Sequence, residues 1–225
     1  MRIFALSFNQ INGIVEKLKA LMEKSETRRQ EIMDAAMHCL ARYGMTKTTM
    51  DDIAEVMGLN KATLYYYYDN KEAIISDALE RDAYRFYAIL EDRFKTIPKA
   101  TEKIKTMVQT FFEFFRNRLD ILQLNARALI DNHTLIQNIH RRMRDKHLQT
   151  MYEIIEEGVH CGEFPDSVDV QRVADALRLI LDAHRLELFR QSADPAIKQP
   201  DLDKLENDAI FIMNIFLNGL KKGPN

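Results

Sequence analysis

"TTMDDIAEVMGLNKATLYYYYDNKE", residues 48–72, packs three helix starts and one sharp helix stop into a short run. Thr49 can accept a hydrogen bond from the backbone three residues on, and Asp52 is a short version of the capping-box acid. Asp51 and Asp52 also suit the positive end of a helix dipole. Ile53, Ala54 and Met57 form the inward face of this first helix before Gly58 breaks it. Asn60 caps a second helix over Lys61 to about Tyr67, and Asn70 caps a third that begins "KEAIISDAL". Two short helices joined by Gly58-Leu59-Asn60, with an apolar helix before them, make a helix-turn-helix.

That earlier helix is expected over Thr27–Tyr43, where Ile32, Ala35, Ala36, Cys39, Leu40 and Tyr43 form one stripe and Gly44 stops it. The first residues leave two readings open. Met22 is the true start and residues 1–21 are a mis-called extension, or they form an amphipathic helix carrying Ile11, Ile14, Val15, Leu18 and Leu21. A cleaved leader is not expected, since a small-residue cleavage site and a long apolar stretch are both missing.

Beyond about residue 98 the pattern stays helical. Helices are expected after Pro98, around 120–130, over 134–157 with Gly158 as the stop, near 168–191 and near 201–221. With no strand alternation the fold class is all-α, with an N-terminal three-helix, helix-turn-helix domain and a larger helical C-terminal domain. The expected division is an extension (1–26), a helix-turn-helix domain (27–79), a larger helical domain (80–221) and a tail (222–225).

The chain has 225 residues, 29% of them charged, and a formal net charge of -2. That balance argues against a general polyanion binder, so DNA binding must come from local geometry. No apolar run reaches the roughly 18 residues of a membrane span. Cys39 and Cys161 stand far apart, which fits a reducing cytoplasm and gives neither a disulfide framework nor a zinc ribbon. The sequence offers no metal-ligand spacing, P-loop, nucleophile elbow or dinucleotide fingerprint, so neither an enzyme nor a bound metal or cofactor is expected.

Residues 27–79 resemble the N-terminal domain of the TetR family of bacterial transcriptional regulators. The landmarks are Gly44, Thr49, Ile53-Ala54, Gly58, Thr63-Leu64-Tyr65, an aromatic at Tyr68, and Asn70-Lys71-Glu72. A weaker likeness extends through "EEGVHCGEF" (156–164). The resemblance implies a homodimer whose helices starting at Lys61 enter successive major grooves of a palindromic operator in double-stranded DNA. It also implies a C-terminal domain in which a small-molecule effector binds and releases the DNA.

Within that frame, Thr49 caps its helix and the resemblance gives it a phosphate contact. Lys61, Ala62 and Thr63 form the first turn of the reading helix, where side chains reach base edges. Lys61 suits guanine, and Ala62 or the Thr63 methyl suits thymine. Lys71 matches the family's phosphate-binding lysine. Residues 27–72 hold six basic side chains (Arg28, Arg29, Arg42, Lys47, Lys61, Lys71) against seven acidic ones, and Asp51 is the least comfortable of the acids near DNA. Helical geometry divides the four tyrosines: Tyr68 falls to the core, Tyr65 to the boundary, and Tyr66 and Tyr67 to the DNA side.

In the second domain, Phe111, Phe115, Leu122, Met143, Met151 and His184 are the candidate lining of an apolar effector pocket. "HRRMRDKH" (140–147) offers positive charge to an anionic ligand, but a charge run of this kind reads first as a solvated helix face. The last two helices are apolar on more than one side, which marks Leu177, Leu181, Leu188, Ile212, Phe216 and Leu220 for a dimer interface. Two rival functions use the same fold: a DNA-associated interaction protein with no small-molecule effector, and an enzyme or metal sensor in the helical C-terminal domain.

Overall fold

A computed structural model describes residues 8–44, 46–116, 118, 134–194, 196–197 and 199–221. They form α-helices: α1 (Phe8–Tyr43), α2 (Met50–Val56), α3 (Lys61–Tyr67), α4 (Lys71–Phe94), α5 (Ala100–Arg116), α6 (Thr134–His160), α7 (Val170–Ala193) and α8 (Leu202–Lys221). No strand occurs among the described residues. The chain divides into two compact units, with the boundary between Ala78 and Leu79.

In the first unit, α1 starts at Phe8, well before the expected Thr27, and runs on without a break. From Phe8 onward the extension is therefore helical, but Val15, Leu18, Leu21 and Met22 are all exposed. The side chains of Ile11 and Ile14 lie outside the described residues. The core begins at Ile32 and joins Ala36, Cys39 and Leu40 to Ile53, Leu64, Ile74 and Ile75. Burial, with help from Asp52, pushes the Cys39 thiol up from its ordinary value.

The caps form as the sequence requires. The Thr49 hydroxyl accepts from the Asp52 N–H at 3.2 Å, and the Asp52 carboxylate accepts from the Thr49 N–H at 2.7 Å. Together these make a capping box at α2. Asn60 accepts from the Thr63 N–H at 2.7 Å, and Asn70 from the Ala73 N–H at 2.8 Å. Between α2 and α3, Gly58 has φ 62°, a left-handed conformation that is strained for any residue with a Cβ.

In the second unit, α5, α6, α7 and α8 enclose a core that includes Ile104, Met107, Phe112, Met151, Ile155, Leu177, Leu188 and Ala209. Gly158 is not the end of its helix, because α6 continues to His160. A Cβ at Gly158 would lie 2.5 Å from the Phe164 ring and 2.8 Å from the Ala100 Cβ. The glycine thus allows α6 to approach the start of α5. Glu163, just beyond α6, completes the joint: its carboxylate accepts from the Ala100 N–H at 2.6 Å and the Thr101 N–H at 3.3 Å. An acid at a helix N-terminus satisfies otherwise unpaired N–H groups and favours the dipole. The "EEGVHCGEF" segment is therefore a packing and capping device. The helix expected around 120–130 lies outside the described residues.

Candidate nucleic-acid interface

The capped ends of α2 and α3 fix which side chains stand free. Lys61 and Ala62, in the first turn of α3, are both exposed. The Lys61 ammonium donates to the Asp51 carboxylate at 2.9 Å, across the helix-turn-helix. This bond, and the negative charge behind it, push the Lys61 pKa up. Thr63 is half-buried, and its hydroxyl donates to Asn60 at 2.8 Å, which leaves the methyl group as its distinctive outward chemistry. The Thr49 hydroxyl likewise donates to Asp52 at 2.7 Å. A phosphate contact through that hydroxyl would have to displace the carboxylate.

The tyrosines separate by exposure. Tyr66 is 82% exposed and Tyr65 44%, whereas Tyr68 is 5% exposed. Tyr67 departs from the expected outward position, since it is half-buried with its ring edge-on to Tyr66 at 5.1 Å. Tyr68 also reaches the core differently from expectation. It is the extended C-cap of α3 (φ -146°), not a helical residue four positions from Leu64. Burial first, and then the Asp77 carboxylate, push its phenol up to about 12. Its hydroxyl makes no hydrogen bond.

Arg29 is committed to this packing. It donates to the Tyr67 carbonyl at 3.0 Å and to Asp77 at 3.2 Å, and its guanidinium lies 4.6 Å from the Tyr68 ring centre. That makes it a brace for the end of α3 rather than a side chain held ready for a groove. Lys71 is half-buried and donates to the Thr48 carbonyl at 2.8 Å, tying the start of α4 to the loop before α2.

The second unit holds an apolar cavity of about 170 Å³. Phe111, Phe115, Met143 and His184 stand on its wall, and so does Leu181, which the sequence had marked for the dimer interface. Met151 does not, because it is wholly buried in the helical core. Leu122 lies outside the described residues. The rings of Phe86, Phe111, Phe114, Phe115 and Phe189 form a chain of edge-to-face contacts at 5.0–6.4 Å.

Polar groups reach the same cavity from α4, α6 and α7: Asp82, His147, Asp182, His184 and Arg185. His147 corrects the reading of "HRRMRDKH" as wholly solvated. Met143 and His147, four apart on α6, face the cavity while Arg144, Asp145 and Lys146 are exposed. Burial, and next the Arg185 charge, pull the His147 imidazole down to about 4, so it is neutral at pH 7. Sequence missed Asp82 too, because a lone acid in a helix carries no signal of what it will face.

The dimer candidates also divide. Leu177 and Leu188 are fully buried in their own chain and cannot present a free surface. Phe216 and Leu220 are partly buried against the same core, while Ile212 is exposed. The uncovered apolar side chains of α7 and α8 are Leu179, Leu186, Phe211, Ile212 and Ile215. Among the described residues, no cluster of His, Cys, Asp or Glu could hold a metal ion, and no helix is long and apolar enough to cross a membrane.

Residues 32–78 match the family model described as bacterial regulatory proteins, tetR family. Over 153 residues the chain is 26% identical to the fatty acid metabolism regulator protein of Bacillus subtilis, covering 67% of this chain and 77% of that one. It is 28% identical over 156 residues to the HTH-type transcriptional repressor KstR2 of Mycolicibacterium smegmatis, covering 68% and 75%. In fold it resembles a TetR transcription regulator from Haloarcula marismortui, with a TM-score of 0.71 and 20% identity over 87% of this chain and 98% of that one. The capped helix-turn-helix and these matches agree, and residues 32–78 form a helix-turn-helix domain of the TetR family of bacterial regulatory proteins.

Proposed function

We propose that the protein is a homodimeric, cytoplasmic repressor that holds a palindromic operator and releases it when a small molecule enters the cavity of the second unit. The observation that carries this reading is the exposed first turn of α3, with Lys61 and Ala62 outward and Tyr65 and Tyr66 beside them. A helix presented this way can place base-reading side chains in the major groove. The aromatic hydroxyls suit backbone phosphates, which position a reader without specifying sequence. Lys71 adds charge at the N-terminus of α4, where a phosphate is also favoured by the helix dipole.

Dimerisation is supported by the uncovered apolar side chains of α7 and α8. Leu186 is 64% exposed and Phe211 65%, in a region where an apolar surface would gain from a partner. A second copy would bring a second reading helix, and the symmetry of the dimer would then demand an inverted repeat in the DNA.

Selection of bound sequences from a random DNA pool tests the whole reading. The expected outcome is an inverted repeat bound by two copies of the chain. A single asymmetric site, or no sequence preference, would refute it. Phe211→Glu should give monomers in sedimentation and lose the inverted-repeat preference; an intact dimer would exclude this face as the interface.

A further inference from the structure

We infer that the cavity of the second unit takes a small, uncharged aromatic molecule of one or two fused rings that carries a hydroxyl group. This rests on the ligand-release reading above and names the chemical class of the ligand.

Size is the first constraint. The cavity measures about 170 Å³. Pockets for drug-sized ligands run from about 300 to 1,000 Å³. An apolar cavity of about 150 Å³ is known to hold benzene. The space therefore suits a compact ring. Shape agrees, because the edge-to-face series of Phe86, Phe111, Phe114 and Phe115 can be continued by one more flat ring.

Charge is the second constraint, and among the described wall residues each carboxylate is already answered. Asp182 accepts from Arg178 and from Arg185, each at 2.8 Å. Asp82 Oδ2 accepts from Arg118 at 2.7 Å. Asp82 Oδ1 accepts no hydrogen bond, but Arg81 and Arg85 stand 3.8 and 3.7 Å away. Three guanidinium groups around one carboxylate leave it with no pull on a cationic ligand. The cation among the described wall residues is Arg185, which is bound to Asp182 in a half-buried pair, so an anionic ligand would have to displace that carboxylate. An unpaired charge of either sign would thus enter an apolar space without a partner.

The hydroxyl follows from the two imidazoles. His184 Nδ1 lies 2.9 Å from the Ile180 carbonyl oxygen, which can only accept, so Nδ1 carries the proton. In the neutral tautomer with that proton on Nδ1, Nε2 offers a lone pair. His147, uncharged at pH 7, supplies one donor and one acceptor. A hydroxyl can donate to the first ring or accept from the second, whereas a bare hydrocarbon leaves both unanswered.

Calorimetric titration of the full chain at pH 7.5 tests this with four probes: 2-naphthol, 2-naphthoate, 2-naphthylmethylammonium and stearoyl-CoA. One equivalent of 2-naphthol should bind, at least tenfold tighter than either charged naphthalene. Leu181→Trp, which fills the cavity, should abolish that binding. Should the variant fail to fold by circular dichroism, the charge series on the unaltered protein decides alone. Tighter binding of 2-naphthoate, of the ammonium or of stearoyl-CoA overturns the inference, as does no binding of 2-naphthol. A parallel DNA-release assay separates the two claims. If 2-naphthol binds but the DNA stays bound, this inference stands and the release reading falls. If stearoyl-CoA releases DNA and 2-naphthol does not bind, the release reading stands and this inference falls.

Discussion

The Lys61 ammonium sits 2.9 Å from the Asp51 carboxylate, so the first basic side chain of the reading helix is held by an acid of the preceding helix. Both side chains are exposed, which keeps the pair weak and easily exchanged. A phosphate or a guanine edge must compete with Asp51 for the same ammonium, and the carboxylate itself repels the DNA backbone. Asp51→Asn should therefore tighten DNA binding by roughly twofold to fivefold, the range in which exposed ion pairs act. The gain should shrink in the Lys61→Ala background, where only the repulsion is relieved. An equal gain with and without Lys61 would show that Asp51 acts by repulsion alone.

Lys71 serves two partners in this reading, the Thr48 carbonyl within the chain and a phosphate outside it. Lys71→Ala should weaken binding to every DNA sequence alike and lower the salt dependence by about one counterion. An unchanged salt slope would confine Lys71 to its structural tie.

The tyrosine run predicts opposite outcomes for neighbours. The Tyr68 hydroxyl is buried without a hydrogen bond, so Tyr68→Phe should be neutral or should stabilise the head by up to about 1 kcal/mol in chemical denaturation. Tyr66→Ala should leave stability unchanged, since the side chain is 82% exposed, and should lower DNA affinity. A Tyr68→Phe head that unfolds more easily would reveal a partner for the hydroxyl.

Much of the reading head was legible because its signals are local. A cap at Thr49, Asn60 or Asn70 and a turn at Gly58 depend on residues three or four apart, and these formed as expected. The errors arose where long-range packing decides. Tyr67, expected on the DNA side, is half-buried; likewise no local pattern could tell that Arg29, to which no role was given, pairs with Asp77, forty-eight positions along the chain. In the second unit the apolar stripe of α7 is real, but periodicity cannot say which side faces its own core. Leu177 and Leu188 went to the core, Leu181 to the cavity wall, and Leu179 and Leu186 to the surface. His147 was hidden by the charges around it in sequence, although its spacing from Met143 carried the signal.

Gly158 shows the same limit, because a glycine near a helix end reads as a stop and here permits contact. Gly158→Ala should destabilise the second unit by about 1–3 kcal/mol, the usual cost of overpacking, since the new methyl meets the Phe164 ring and Ala100. Replacing Phe164 with Leu in the same chain should recover part of that loss in thermal unfolding. A Gly158→Ala protein as stable as the original would mean that the α5–α6 approach is looser than the geometry indicates.

The half-buried His147 makes stability depend on pH in a defined window. Its folded value is pulled down to about 4, against 6.5 for a free imidazole, by burial and by the Arg185 and Arg178 charges, with Asp182 opposing them. Above pH 6.5 both folded and unfolded chains carry the neutral ring, and its contribution is fully present. As pH falls from 6.5 towards 4, only the unfolded chain takes up the proton, so stability falls by an amount on the order of 3 kcal/mol. Denaturant unfolding of the unaltered chain and of His147→Leu, measured from pH 4 to 8, isolates this residue from the other histidines. The two stability curves should converge on acidification, with the variant flatter below pH 6.5. Parallel curves would show that the folded chain takes up this proton as readily as the unfolded one and that the ring's place beside the cavity does not lower its proton affinity.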